Sequence, residues 1–177
     1  MRNSNERYGT VARALHWAIG LLLLGQIAGG FIVFEFMDKS ATRSALALMH
    51  MAMGSTLLLL VLARIAWRRH DRPPPFPAAM SAREQRGTRF GHRGLYLLML
   101  AMPLIGLAIP GSAGRATDVF GLFRIPSFVP VNESLHDALE AAHEWGAYLL
   151  IALIVIHVGA ALYHKFVKDD GILERML

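Results

Sequence analysis

The sequence predicts an all-α integral membrane protein, a four-helix bundle with both termini in the cytoplasm, and three observations carry that prediction. Hydrophobic residues make up 54% of the 177 positions and charged residues only 18%, against roughly 25% charged in ordinary soluble domains. The stretch from Trp145 to His164 runs twenty residues without a formal charge, long enough to cross a hydrocarbon layer about 30 Å thick. Fourteen of the Lys and Arg residues fall in the N-terminal segment, the Arg64–Arg93 stretch and the C-terminal segment, while the two remaining connections hold four: Lys39, Arg43, Arg115 and Arg124. By the positive-inside rule, this asymmetry puts both ends of the chain on the inner side.

The chain length leaves room for about four spans with short loops, hence one domain over 1–177 with spans about 14–36, 45–67, 94–112 and 143–164. Arg2, Arg7 and Arg13 precede the uncharged run Ala14–Phe34. That run exceeds the 7–15 residues typical of a signal-peptide core, so it is read as the first span. Trp17 is placed to anchor it at the interface, and His16 beside it is a ligand candidate. A short connection, Glu35–Ser44, leads to a second span that carries His50 near its start and the small residues Gly54, Ser55 and Thr56 after it. From His70 to Arg93 a loop is expected, opened by the proline run at Pro73–Pro75 and Pro77. The third span is expected to begin at Gly94, with Pro103 as a kink and His92 at its edge, solvated or bonded to a propionate. A second loop then reaches Val131, part of it lying on the membrane. Asn132 or Ser134 starts the fourth helix, where Ser134 and Asp137 fit a capping-box pattern.

That fourth helix holds four of the eight histidines on one seven-residue register, His136, His143, His157 and His164, with Leu150 filling the gap. Seven residues is just under two turns, so all five positions form one gently drifting stripe. A packing seam would be built from Leu, Ile or small residues, whereas imidazoles at membrane depth need partners. His136, wetter and more than two turns before Trp145, is the weaker ligand candidate. Depth assigns the pairs: His16 with His157 in the inner half, and His50 with His143 in the outer half. A zinc site would want three or four ligands at one depth, but two per level suit the axial positions of haem. Cysteine is absent, which excludes disulfides, iron–sulfur clusters, thiolate ligation and covalent c-type haem. Nucleic acid is excluded as a partner because the basic residues flank apolar runs.

The chain resembles the bacterial cytochrome b561 family. The matching pieces are Leu15-His16-Trp17, Met49-His50-Met51, Tyr96-Leu97-Leu98 with Met102–Leu107, and His143-Glu144 with His157 and His164. The resemblance implies two non-covalent haem b groups with His16, His50, His143 and His157 as axial iron ligands, and ubiquinone as electron acceptor. It further implies an oxidoreductase of the bacterial inner membrane that carries electrons from superoxide, or another one-electron donor, to quinone. Saturated axial ligation leaves no open position on iron, so outer-sphere electron transfer remains as the job. On the outer face Lys39, Arg43, Arg115 and Arg124 are placed to steer an anion. On the inner face His92, His164, Lys165 and nearby arginines are candidates for bonding quinone carbonyls or haem propionates. The expected partners are the lipid bilayer, quinone and the donor, with a homodimer left open. Two other readings stand beside this one: a haem-b anchor subunit of a multi-subunit dehydrogenase or hydrogenase, and a haem-free proton or metal transporter.

Overall fold

Four long helices carry the architecture of the computed structural model, which describes residues 2–177. The first, α1, spans Thr10–Phe31 and widens into a π-helical turn over Ile32–Phe36. Ser40 caps α2, Ala41–His70, by accepting from the Arg43 amide at 3.1 Å. The third helix, α3, runs Ala82–Ser112, and α4 runs Glu133–Tyr163 before a second π-helical turn at His164–Lys168. All four are long and apolar enough to cross a membrane.

Their apolar side chains point outward as well as inward. Leu21, Leu59, Leu97, Val155 and Ile156 are all more than 60% exposed, an arrangement that lipid rather than water makes favourable. The interior is a narrow band of Ile19, Leu23, Leu57, Val61, Leu95, Met99, Met102 and Leu150 at mid-height of the bundle. Leu150, the aliphatic position in the histidine stripe, is 2% exposed and sits at the heart of that band. Around the bundle α1 packs on α2, α2 on α3 and α3 on α4, while the backbone of α4 approaches α1 and α2 only sparsely.

Three expectations for the connections are corrected. Residues 82–93 are not loop, because α3 begins twelve residues before Gly94. Ser81 accepts from the Glu84 amide and Glu84 returns a bond to the Ser81 amide at 2.8 Å, a capping box that starts the helix well outside the apolar stretch. The capping pattern at Ser134–Asp137 is not used, since Asn132 caps α4 by accepting from the Leu135 amide at 2.7 Å. The connection before α4 holds an antiparallel hairpin, with β1 at Thr117–Val119 paired to β2 at Phe123–Ile125, packed against α2. Pro103 and Pro110 both lie buried inside an α3 that stays helical throughout.

The two ends of the chain meet at one end of the bundle. Trp17 Nε1 donates to the Met176 carbonyl at 3.0 Å, Arg175 Nε donates to the Glu6 carbonyl at 2.7 Å, and Arg13 binds the Leu177 carbonyl. Lys168 joins Glu84 at 2.5 Å, tying the end of α4 to the start of α3. Lys165 bonds to Glu174, and this holds the Glu174 carboxyl below its usual carboxylate range.

Candidate functional site

At each of two levels an imidazole from α4 faces an imidazole from another helix. His16 on α1 and His157 on α4 have ring centroids 6.1 Å apart at 67°. His50 on α2 and His143 on α4 have centroids 6.4 Å apart at 75°. The partners brought together are those that depth alone predicts. His143 and His157 are fourteen residues apart on one helix, a rise of roughly 21 Å. Leu150 and the apolar band lie between the two levels.

The His50–His143 pair, which the basic asymmetry of the sequence puts on the outer side, is held by backbone and small residues to which the sequence reading gave no site role. Gln26 Nε2 donates to the His50 carbonyl at 2.6 Å. It is the only side-chain amide in the Ala14–Phe34 run, and a lone amide at membrane depth is the signal that could have found it. A Cβ on Gly30 would lie 3.0 Å from His50 Cε1, and one on Gly106 would lie 3.1 Å from His143 Cε1. Each ring therefore occupies space that any other residue would fill. The π-helical turn brings Phe34 edge-on to His50, with centroids 5.7 Å apart. Arg43 lies over Phe34 and donates to the Val33 carbonyl at 3.0 Å.

At the inner level the structure departs from two imidazoles. His92, expected at the edge of the third span and solvated or bonded to a propionate, sits inside α3 with its ring 5.5 Å from His157. Among the described residues no group of three or more His, Cys, Asp or Glu is arranged to hold a metal ion by itself. Trp17 packs edge-on to His16 at 5.4 Å. Arg64 donates to the Tyr96 hydroxyl at 2.9 Å and to the Ala12 carbonyl at 2.8 Å, one turn before His16.

The other two stripe histidines are engaged elsewhere. His136 Nδ1 lies 2.9 Å from Ser112 Oγ and 3.1 Å from the Ile109 carbonyl, while its Nε2 faces Glu140 at 3.2 Å. His164 is buried, with Nδ1 2.6 Å from Asp170 Oδ2. Of the four outer basic residues, Arg124 pairs with Asp118 at 3.6 Å and Arg43 is tied to α1, so neither is a free cation.

These residues fit a planar metal cofactor clamped between helices. A metal to imidazole nitrogen bond of about 2.0–2.1 Å on each side, with the ring radii added, puts two trans imidazole centroids roughly 6.3 Å apart. The observed 6.1 and 6.4 Å bracket that value. Edge-to-face packing of aromatic rings covers the same range; what favours the clamp is that Gly30 and Gly106 clear the space in which His50 and His143 face each other. His50 buries Nδ1 without a bonded partner.

A family model described as prokaryotic cytochrome b561 matches residues 7–177. Cytochrome b561 homolog 2 of Escherichia coli K12 is 31% identical over 176 residues, covering 99% of this chain and 93% of that protein. A Yersinia pestis protein named Probable superoxide oxidase CybB is 30% identical, with 98% and 97% covered. Cytochrome b561 homolog 1 of Escherichia coli K12 is 26% identical, with 97% of each chain covered.

Proposed function

Since the chain belongs to the prokaryotic cytochrome b561 family and carries haem-b electron transfer in the bacterial inner membrane, we propose that it takes electrons from superoxide at the outer face and delivers them to ubiquinone. His16 and His157 would hold one haem b and His50 and His143 a second. Held between two histidines, such a group would supply one-electron transfer. The observation that supports this reading most is the pair of matched imidazole couples at two levels of the bundle, both drawing one member from α4.

The chain's own residues divide the remaining work. Gln26, Gly30 and Gly106 position the outer rings, and Arg64 sets a cation beside the inner pair, where a carboxylate such as a propionate would bind. Lys39 and Arg115 are the outer cations left to draw an anion inward, with Arg43 and Arg124 adding to the field from their bonded positions. Both termini meet at one end of the bundle, and the basic asymmetry assigns that end to the cytoplasm.

Stopped-flow mixing of the oxidised protein with superoxide tests the reading. Reduction should slow as salt rises, because an anion steered over a Debye length of about 8–10 Å is screened. Charge reversal at Lys39 or Arg115 should slow it further with haem content unchanged. Haem that stays oxidised in superoxide, yet is reduced quickly by a soluble dehydrogenase, would replace this reading with that of an anchor subunit.

A further inference from the structure

After α3 ends at Ser112 the chain does not leave the bundle but turns back along it. The strand β1 runs beside α2 with Thr117 and Val119 packed inward, at 2% and 5% exposure. The hairpin turn then comes to rest against the same helix, where Asp118, Phe120 and Gly121 share a cavity of about 180 Å³ with Ala45, Met49 and Ala52. Those three α2 positions belong to the run Ser44–Ala63, twenty residues without a formal charge, whose rise of roughly 30 Å matches the thickness of the hydrocarbon layer. Ala45 and Ala52 fall within roughly the first 12 Å of that rise. The turn is therefore level with membrane-spanning helix rather than beyond its end.

The make-up of the turn suits that depth and does not suit water. Phe120 takes φ +55° and Gly121 φ +70°, the positive pair of a type I′ turn, which Gly, Asn and Asp ordinarily fill. A phenylalanine held there costs about 1 kcal/mol or more. Its ring is half exposed, and Leu122 next to it is 80% exposed. Leu48 and Met49 on the adjoining surface of α2 are half exposed too, so the patch continues the apolar exterior of the bundle. Non-helical backbone persists at such a level only where the protein satisfies its polar groups. Here the Gly121 amide donates to Asp118 Oδ1 at 2.6 Å, the Leu122 amide donates to the Val119 carbonyl at 3.0 Å, and the two strands pair with each other. The charges stand back from the tip. Asp118 lies opposite Arg124 in the ladder and 3.6 Å from it, and an arginine stem can carry its guanidinium outward to the headgroups.

We propose that this hairpin is re-entrant. Its turn dips alongside α2 into the leaflet on that side, which the basic asymmetry makes the outer one, with Phe120 and Leu122 among the lipid acyl chains and Arg124 at the level of the phosphates. The surface it fits is the lipid itself, entered from above rather than covered by a loop lying flat. A soluble partner would need the same patch to stand in water.

The chain contains no cysteine, so single thiols can be introduced and their contact with water read directly. A maleimide reacts with the thiolate, which forms in water and is suppressed in apolar surroundings. The full-length protein in phospholipid nanodiscs, both faces of which are open to solvent, is treated with a water-soluble maleimide after Leu122→Cys, Arg124→Cys, Leu59→Cys or Glu133→Cys, and again in SDS to count the thiols. Circular dichroism checks that each variant keeps its helices, and Phe120→Cys takes the place of Leu122→Cys if that variant does not fold. Exposed Glu133, at the start of α4, gives the aqueous reference, and Leu59, 62% exposed on α2, gives the lipid reference. Leu122→Cys should be as unreactive as Leu59→Cys, and at 80% exposure only lipid can protect it. Arg124→Cys, two residues away, should react nearly as fast as Glu133→Cys. A thiol at Leu122→Cys that reacts like Glu133→Cys would overturn the proposal and leave the turn free to receive a soluble protein. Equal, intermediate rates for Leu122→Cys and Arg124→Cys would overturn it as well, because they describe a hairpin lying flat on the surface.

Discussion

Replacing Gly30 or Gly106 by alanine should weaken haem binding at the outer pair while the helices stay folded. An added Cβ would stand 3.0 Å from His50 Cε1 in the first case and 3.1 Å from His143 Cε1 in the second, where ordinary contact begins at 3.4 Å. Each ring must give by a few tenths of an ångström, and it is braced against movement. The carbonyl of His50 is held by Gln26 and the edge of its ring by Phe34. Overpacking of this kind costs about 1–3 kcal/mol, which is roughly a 5- to 150-fold loss of affinity. Alanine in place of glycine inside a helix acts in the opposite direction on folding, by up to about 1 kcal/mol. Haem content and thermal stability of the haem-free protein should therefore diverge. Gly87 on α3 meets nothing within 4 Å, so Gly87→Ala should leave haem content alone. The assay is extracted haem per polypeptide with a reduced-minus-oxidised spectrum. Full occupancy and an unshifted spectrum in both Gly30→Ala and Gly106→Ala would refute the placement of the outer rings.

Two further outcomes are expected. Wild-type protein should yield close to two haems per chain, and His143→Ala or His50→Ala should remove only the outer one, so a wild-type value near one breaks the pairing. Reporter fusions at Leu177 and within Ser112–Val131 should report opposite sides of the membrane, and the same side for both would mean an even number of crossings between them.

The imidazole couples were legible because a seven-residue interval puts His143 and His157 on one helical stripe, and because charge asymmetry orders the other spans by depth. His92 was not, for a physical reason. The first twelve residues of α3 carry Arg83, Glu84, Arg86, Arg89 and Arg93, so an apolar count starts the span at Gly94 and leaves His92 outside. The Ser81–Glu84 capping box was the available signal for the true start. Gly30 and Gly106 were hidden because a glycine in a span reads as packing until the ring opposite it is known. Asp170 was beyond reach altogether, since its meeting with His164 depends on two left-handed residues that reverse the chain. The Phe120–Gly121 turn of the hairpin is a similar case, with positive φ at both positions.

Leu150 and the side chains packed round it put an insulating layer between the two histidine levels. Leu150, Val61, Leu57 and Ile19 are each no more than 3% exposed, and they offer nothing to which a file of water could bond. Protons have no relay through such a layer, whereas an electron needs none. Charge thus crosses as electrons alone, so each passage moves a net charge through the membrane field, worth about 2.3 kcal/mol per 100 mV. If the source lies outside and the sink inside, as proposed, every turnover adds negative charge to the cytoplasmic face, and the bundle acts as a small generator of membrane potential.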